Sequence, residues 1–102
     1  LDSPMSVKTT GATVPVEYNL SQNYPNPFNP STVIRFAIPT ESPVTIKVYS
    51  ITGEMVATIL NEVKTAGEYE VSFDAAALPT GVYIYKIDAG KFSSTKKMML
   101  VK

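Results

Sequence analysis

The sequence predicts an all-β fold, an immunoglobulin-like antiparallel β-sandwich of about seven strands, on three observations. From Glu17 onward, apolar and polar residues alternate with a period of two, the signature of half-buried strands. The alternating segments recur about every 8–12 residues, separated by turns rich in Pro, Gly, Asn and Asp, the spacing of a sandwich. With 102 residues and 44% hydrophobic content, there is room for one domain burying about 60–65% of the surface its unfolded chain exposes.

The elements follow in order. Ile34, Phe36 and Ile38 alternate with Val33, Arg35 and Ala37, and Val44, Ile46 and Val48 alternate with Thr45, Lys47 and Tyr49, which predicts two strands. Between them Pro39-Thr40-Glu41-Ser42-Pro43 is a turn, and Pro43 cannot donate to a ladder. Ile51-Thr52-Gly53-Glu54 is a second tight turn in which Gly53 supplies a positive φ, so residues 55–60 return as a hairpin strand. A polar loop is expected over residues 61–67. Tyr69, Val71 and Phe73 then face one way while Glu68, Glu70 and Ser72 face the other. Residues 74–80 are expected to cross between sheets through a single helical turn, held by Asp74 as a cap and by a buried Leu78. Gly81 restarts the strand. Residues 82–87 are apolar on both faces, as expected of a central strand covered on each side, and residues 91–102 return as its partner across Asp88-Ala89-Gly90.

Two segments precede the strands. Residues 1–16 are rich in Ser, Thr, Gly, Pro and Ala with no periodic apolar face, as in a flexible linker from an upstream domain, and residues 17–102 form the sandwich domain. Leu1 opens the sequence with no basic region, so no secretory signal is expected within it and the chain is expected to be cut from something longer. The second segment is Asn23-Tyr24-Pro25-Asn26-Pro27-Phe28-Asn29-Pro30. Each proline fixes its own φ and pushes Tyr24, Asn26 and Asn29 out of the helical region, so the run is a stiff strap whose docking costs less than the roughly 1–2 kcal/mol per residue of an ordinary loop. Tyr24 and Phe28 are expected to anchor it, and Asn26 to satisfy local backbone groups.

The composition excludes much chemistry. With no His and no Cys, Ser-His-Asp, Cys-His and zinc arrangements are ruled out, as are disulfides. Nine basic and nine acidic residues cancel, which argues against a nucleic-acid partner or a polybasic membrane anchor. No apolar stretch reaches the roughly 18–20 residues of a membrane-spanning helix. Glu68 and Glu70 share a strand face about 7 Å apart, within the range of inverting glycosidase acids, but a solvated face opposite Tyr69, Val71 and Phe73 accounts for both. Asp74 and Asp88 read as turn caps because no carboxylate-rich loop surrounds either. No phosphate-binding glycine loop is present. The sequence therefore predicts no catalytic residue, no metal and no cofactor. Tyr83 and Tyr85 share a face, a stacking platform for sugars if exposed and core if not; Lys86 opposite them favours core. Lys96, Lys97 and Lys102 flank an apolar strand as guards against edge pairing.

The strap, read with Ile51-Thr52-Gly53-Glu54, with Asp74, Leu78, Gly81, Val82 and Tyr83, and with the closing Lys96-Lys97-Met98-Met99-Leu100-Val101-Lys102, resembles a type A C-terminal sorting domain of the type IX (Por) secretion system of Bacteroidota. The resemblance covers residues 16–102. It implies a non-catalytic β-sandwich that addresses an upstream cargo, delivered to the periplasm, to an outer-membrane translocon and then to the cell surface or the medium. It further implies recognition through Lys96, Lys97, Met98, Met99, Leu100, Val101 and Lys102 with Gly81 and Tyr83, and a structural role for the strap from Tyr24, Pro25, Asn26, Pro27 and Phe28 to Asn29 and Pro30. A surface sortase would cut in the linker, with Thr10, Gly11 and Ala12 as candidates. The domain is expected to be monomeric. Two other readings remain open: a carbohydrate-binding or adhesive module with Tyr49, Tyr83 or Tyr85 exposed in a flat row, and an immunoglobulin-like spacer similar to sandwich domains of flagellar hook-assembly proteins. A spacer would continue into another domain, so a chain expected to close at Lys102 favours the address.

Overall fold

The computed structural model describes residues 7–9 and 15–102. Among them are eight strands in two antiparallel sheets. The first sheet has the order β1-β6-β3-β2, with β1 (Val7–Thr9), β6 (Gly67–Asp74), β3 (Ser31–Ile38) and β2 (Asn19–Leu20). The second has the order β5-β4-β7-β8, with β5 (Met55–Lys64), β4 (Ser42–Ser50), β7 (Gly81–Ala89) and β8 (Phe92–Leu100). Hairpins join β4 to β5 and β7 to β8 within the second sheet, and the remaining long strands cross between layers. This is the immunoglobulin-like sandwich that the alternation predicts.

The period-two pattern sets the register. Ile34, Phe36 and Ile38 of β3 and Tyr69, Val71 and Phe73 of β6 are buried against Val44, Ile46 and Val48 of β4 and Tyr83, Tyr85 and Ile87 of β7. Burying each such side chain is worth about 1.5–3 kcal/mol, and a one-residue slip would turn a whole set outward, so the pairing is strongly specified. Gly53 (φ +93) and Gly90 (φ +60) make the two hairpin turns. Gly90 and Lys91 form a two-residue loop between the paired Ala89 and Phe92, with a positive φ at its first position.

Four expectations need correction. The polar stretch at residues 61–67 is mostly strand: β5 continues to Lys64, paired with Ser42, and only Thr65 and Ala66 turn before β6. The stretch is mostly polar because β5 is an edge strand, and Asn61, Glu62 and also Val63 are exposed. Register shifts in the β4–β5 pairing skip Val56 and Ile59, which lets the neighbours Ile59 and Leu60 both be buried, against strict alternation. Residues 75–80 contain a hydrogen-bonded turn, Leu78 N–H to Ala75 O at 2.9 Å, rather than a helical one. Asp74 does cap it, its Oδ1 accepting the Ala76 N–H at 2.9 Å, and Leu78 is half-buried. Strand β7 is central in its sheet but covered on one face only, since Val82, Ile84 and Lys86 point away from the first sheet and are half-exposed. Finally, part of the stretch read as unstructured linker is ordered: Val7–Thr9 pair with Tyr69, Glu70 and Val71 along the outer edge of β6.

Candidate functional site

The strap closes the side of the sandwich where β2 and β8, the edge strands of the two sheets, face each other. Tyr24 pairs with Val33 of the first sheet through two backbone hydrogen bonds of 2.9 Å. Four residues on, Phe28 lies parallel to Leu100 of the second sheet, donating its N–H to Met99 O at 2.9 Å and accepting that of Val101 at 3.0 Å. The Phe28 ring is 2% exposed and packs 6.4 Å, centroid to centroid, from Phe73. It is the anchor that the sequence predicts. Tyr24 is not: it is 80% exposed, because its backbone is spent on Val33 and its ring stands over an open groove of about 360 Å³ that Arg35 and Glu70 also line. The three Xaa–Pro bonds of the strap are cis.

Asn26 also departs from expectation. Its Oδ1 accepts the N–H of Met99 at 2.9 Å, across 73 residues of sequence, rather than a local group. Gln22 Nε2 donates to Lys97 O at 2.6 Å. The outer edge of β8 from Lys97 to Val101 is therefore already hydrogen-bonded to the strap and to Gln22 just before it. At the other end of the strap, Pro30 O accepts the Ala75 N–H at 2.9 Å.

A buried polar network, which sequence reasoning missed, holds the start of the strap. Asn23 is 2% exposed and Thr32 1%. Asn23 Nδ2 donates to Pro25 O at 3.1 Å and Thr32 Oγ1 at 3.0 Å, and the Thr32 hydroxyl donates to Pro25 O at 2.9 Å. The Tyr85 hydroxyl donates to Ser21 O at 2.7 Å and accepts the Asn23 N–H at 2.8 Å. Burial pushes the Tyr85 phenol up from 10.0 to about 12, against the opposing pull of the Asn23 N–H. Part of the signal was present: an inward tyrosine needs a partner for its hydroxyl, and an Asn in a turn bonds the backbone two residues on, as Asn23 does with Pro25 O.

In the closing segment the period-two rule divides the recognition candidates. Met98 and Leu100 point into the core, at 1% and 0% exposure, while Met99 (44%) and Val101 (43%) face outward together with the exposed Lys97. Lys96 is half-buried. Lys102 reaches back to the turn after β6, Nζ donating to Ala76 O at 2.6 Å and its N–H to Thr80 Oγ1 at 3.2 Å. Gly81 opens β7 half-exposed, and Tyr83 is buried with its hydroxyl donating to Pro79 O at 2.6 Å. Thr10, Gly11 and Ala12, the cleavage candidates, lie outside the described residues.

The sugar-platform geometry is not met, since Tyr83 and Tyr85 are 5% and 0% exposed and Tyr49 is half-buried. Glu70 is engaged by the cross-strand Arg35, both Nε and Nη2 lying 2.9 Å from its Oε2, and Glu68 is exposed. Among the described residues no group of three or more His, Cys, Asp or Glu is placed to hold a metal ion, and no helix is long and apolar enough to cross a membrane.

A comparison with known protein families matches residues 22–102 to the secretion system C-terminal sorting domain. A search of curated proteins gives no match. The matched span runs from Gln22, whose side chain holds Lys97, to Lys102, so its two ends are the parts that the strap and β8 bring together.

Proposed function

The chain belongs to the secretion system C-terminal sorting domain family, the sorting signals of type IX secretion that lead to export to the cell surface or beyond, and from that membership we propose how it serves. It is the folded, non-catalytic address of an upstream cargo, which reaches the periplasm and is then passed to the outer-membrane translocon. A surface sortase removes the domain in the stretch before β2 and attaches the cargo to the cell surface. The observation that carries this reading is the interlock of strap and β8, the two segments that distinguish this chain from a generic sandwich. The strap fixes the backbone of Lys97, Met99 and Val101 through hydrogen bonds at both ends of that row, so their outward side chains are presented as a rigid set, whatever cargo precedes them. Recognition through Lys97, Met99, Val101 and Lys102 fits their exposure, whereas Met98, Leu100 and Tyr83 act by holding that row in place.

Placing the 102-residue chain behind a periplasm-directed reporter, in a bacterium with a type IX system, tests the reading. The reporter is expected on the surface or in the medium, and in the periplasm of a strain lacking the translocon. Periplasmic retention in the intact strain refutes the address. Mass spectrometry of the exported reporter is expected to find its C-terminus within residues 6–16, near Gly11; a product that retains Lys102 refutes removal by a sortase.

A further inference from the structure

The outer face of the second sheet is divided into two unlike halves. Toward the β4–β5 turn, the pairings set Tyr49 beside Met55 and Ile84, and Val82 beside Met99, all on the face away from the core. Ile51 in the adjoining turn is 70% exposed, Met55 52% and Met99 44%. Toward the other end the same strands pair Thr45 with Asn61 and Asp88, and Lys86 with Thr95, with Val63, 62% exposed beside Pro43, as an apolar side chain at the sheet margin. Threonine at the polar end shows that strand propensity can be met without exposing apolar surface. Val82 and Ile84 are the residues that made β7 read as a strand covered on both faces, and no described part of the chain covers them.

We propose that this apolar half-face is a docking surface for a protein of the export machinery that presents an apolar ridge bordered by carboxylates; the proposal rests on the sorting reading above. At β8 the approach is face-on, because the strap and Gln22 already occupy its outer edge from Lys97 to Val101; the sheet's other edge, β5, lies two strands away from Val82 and Ile84. Charge selects the occupant. Lys47 and Lys97 border the apolar half and make no ion pair among the described residues, while Lys86 is 3.9 Å from Asp88. Glu54, in the turn before Met55, is the acid nearest in sequence. Two copies docking through this face about a two-fold axis would bring these lysines toward each other, which opposes self-association. A net charge of zero does not favour an anionic lipid surface. Contiguous exposed apolar surface rimmed by charge marks a protein partner.

Three variants of the reporter-linked chain test this. Val82→Thr/Ile84→Thr/Met99→Gln is expected to lower surface reporter at least tenfold at an unchanged urea midpoint of the purified chain. Should that variant fold poorly, two single changes on the outer face of β8 decide: Lys97→Glu is expected to lower export several-fold and Ser93→Glu, at the polar end, to leave it unchanged. Equal export by the first variant and the unaltered chain, or equal effects of Lys97→Glu and Ser93→Glu, overturns the docking face, and with it recognition through Lys97 and Met99, while the sorting address itself stands. Failure of the unaltered chain to be exported overturns the sorting reading, and the docking face with it. A photo-crosslinker at Met99 is expected to trap an outer-membrane component required for export; an adduct with a second copy of the chain or with lipid alone refutes the proposal.

Discussion

Truncating Phe28 to alanine removes the one strap side chain that joins the hydrophobic core. The ring is 2% exposed, contacts Phe73, and lies between backbone bonds to Met99 and Val101 that hold the strap in register with Leu100. The site has little freedom to collapse, because the strap is pinned to both sheets on either side of Phe28. Buried Phe→Ala changes cost about 3–5 kcal/mol, a large share of the roughly 5–15 kcal/mol that a domain of this size possesses. With a urea m-value of about 1–1.5 kcal/mol/M, the midpoint falls by about 2–5 M. Tyr24→Ala in the same strap is the control: its ring is 80% exposed, so the change stays within about 0.5 kcal/mol. Urea unfolding of both variants, followed by circular dichroism, gives the comparison. A midpoint shift below about 0.5 M for Phe28→Ala, or equal losses for the two aromatics, would show that the strap does not depend on Phe28 packing. Were export nonetheless lost, Phe28 would be a docking residue instead of a structural one.

Asn26→Ala removes a bond at the exposed end of β8 while the two Phe28 backbone bonds remain, so it should cost about 1 kcal/mol and speed hydrogen exchange at the Met99 amide above that of Val101. Tyr85→Phe leaves Ser21 O and the Asn23 N–H without their buried partner and should cost about 1–3 kcal/mol at neutral pH. Because the Tyr85 phenol is raised from 10.0 to about 12, the unfolded chain loses this proton first as pH rises. The stability it represents is complete below pH 10 and is lost toward pH 12, about 2–3 kcal/mol in all. Stability measured at pH 9 and 11 should thus fall further for the unaltered chain than for Tyr85→Phe, and equal falls would rule out this titration. Gly90→Ala meets only ordinary contacts, Ser42 Oγ and the Tyr18 hydroxyl at 3.8 Å, so its cost should be that of the φ of +60° alone, about 1–2 kcal/mol by thermal unfolding.

The layers of the sandwich were legible because burial on one face imposes a period of two, and Ile34, Phe36 and Ile38 or Val44, Ile46 and Val48 obey it without exception. The pattern misled where one face is not what defines the strand. At the β5 edge both faces of residues 61–63 meet water, so a paired strand reads as a loop. On β7 the outer face is apolar without being covered, so a one-sided strand reads as a two-sided one. Strap and tail were each visible as motifs, but period and propensity are local, and the bonds from Asn26 to Met99 and from Gln22 to Lys97 span 73 and 75 residues. Nothing near Asn26 reveals that its oxygen belongs to the far end of the chain.

That separation bears on what the tail can signal. Lys97, Met99 and Val101 face outward only because Met98 and Leu100 between them are buried, and that burial requires the first sheet, the strap and β7 to be in place. The contacts that set the row are long-range, so they form late relative to local turns and hairpins. Until they form, the same seven residues from Lys96 to Lys102 are a flexible, partly apolar peptide with no fixed face. Presentation of the row is therefore coupled to completion of the sandwich, and a chain truncated before β8 loses both the exposed side chains and the fold. Deleting residues 98–102 would for that reason be an ambiguous test of recognition, whereas a change such as Lys97→Glu, on an exposed side chain whose backbone carbonyl alone is used by Gln22, alters the surface and leaves the strap bonds intact.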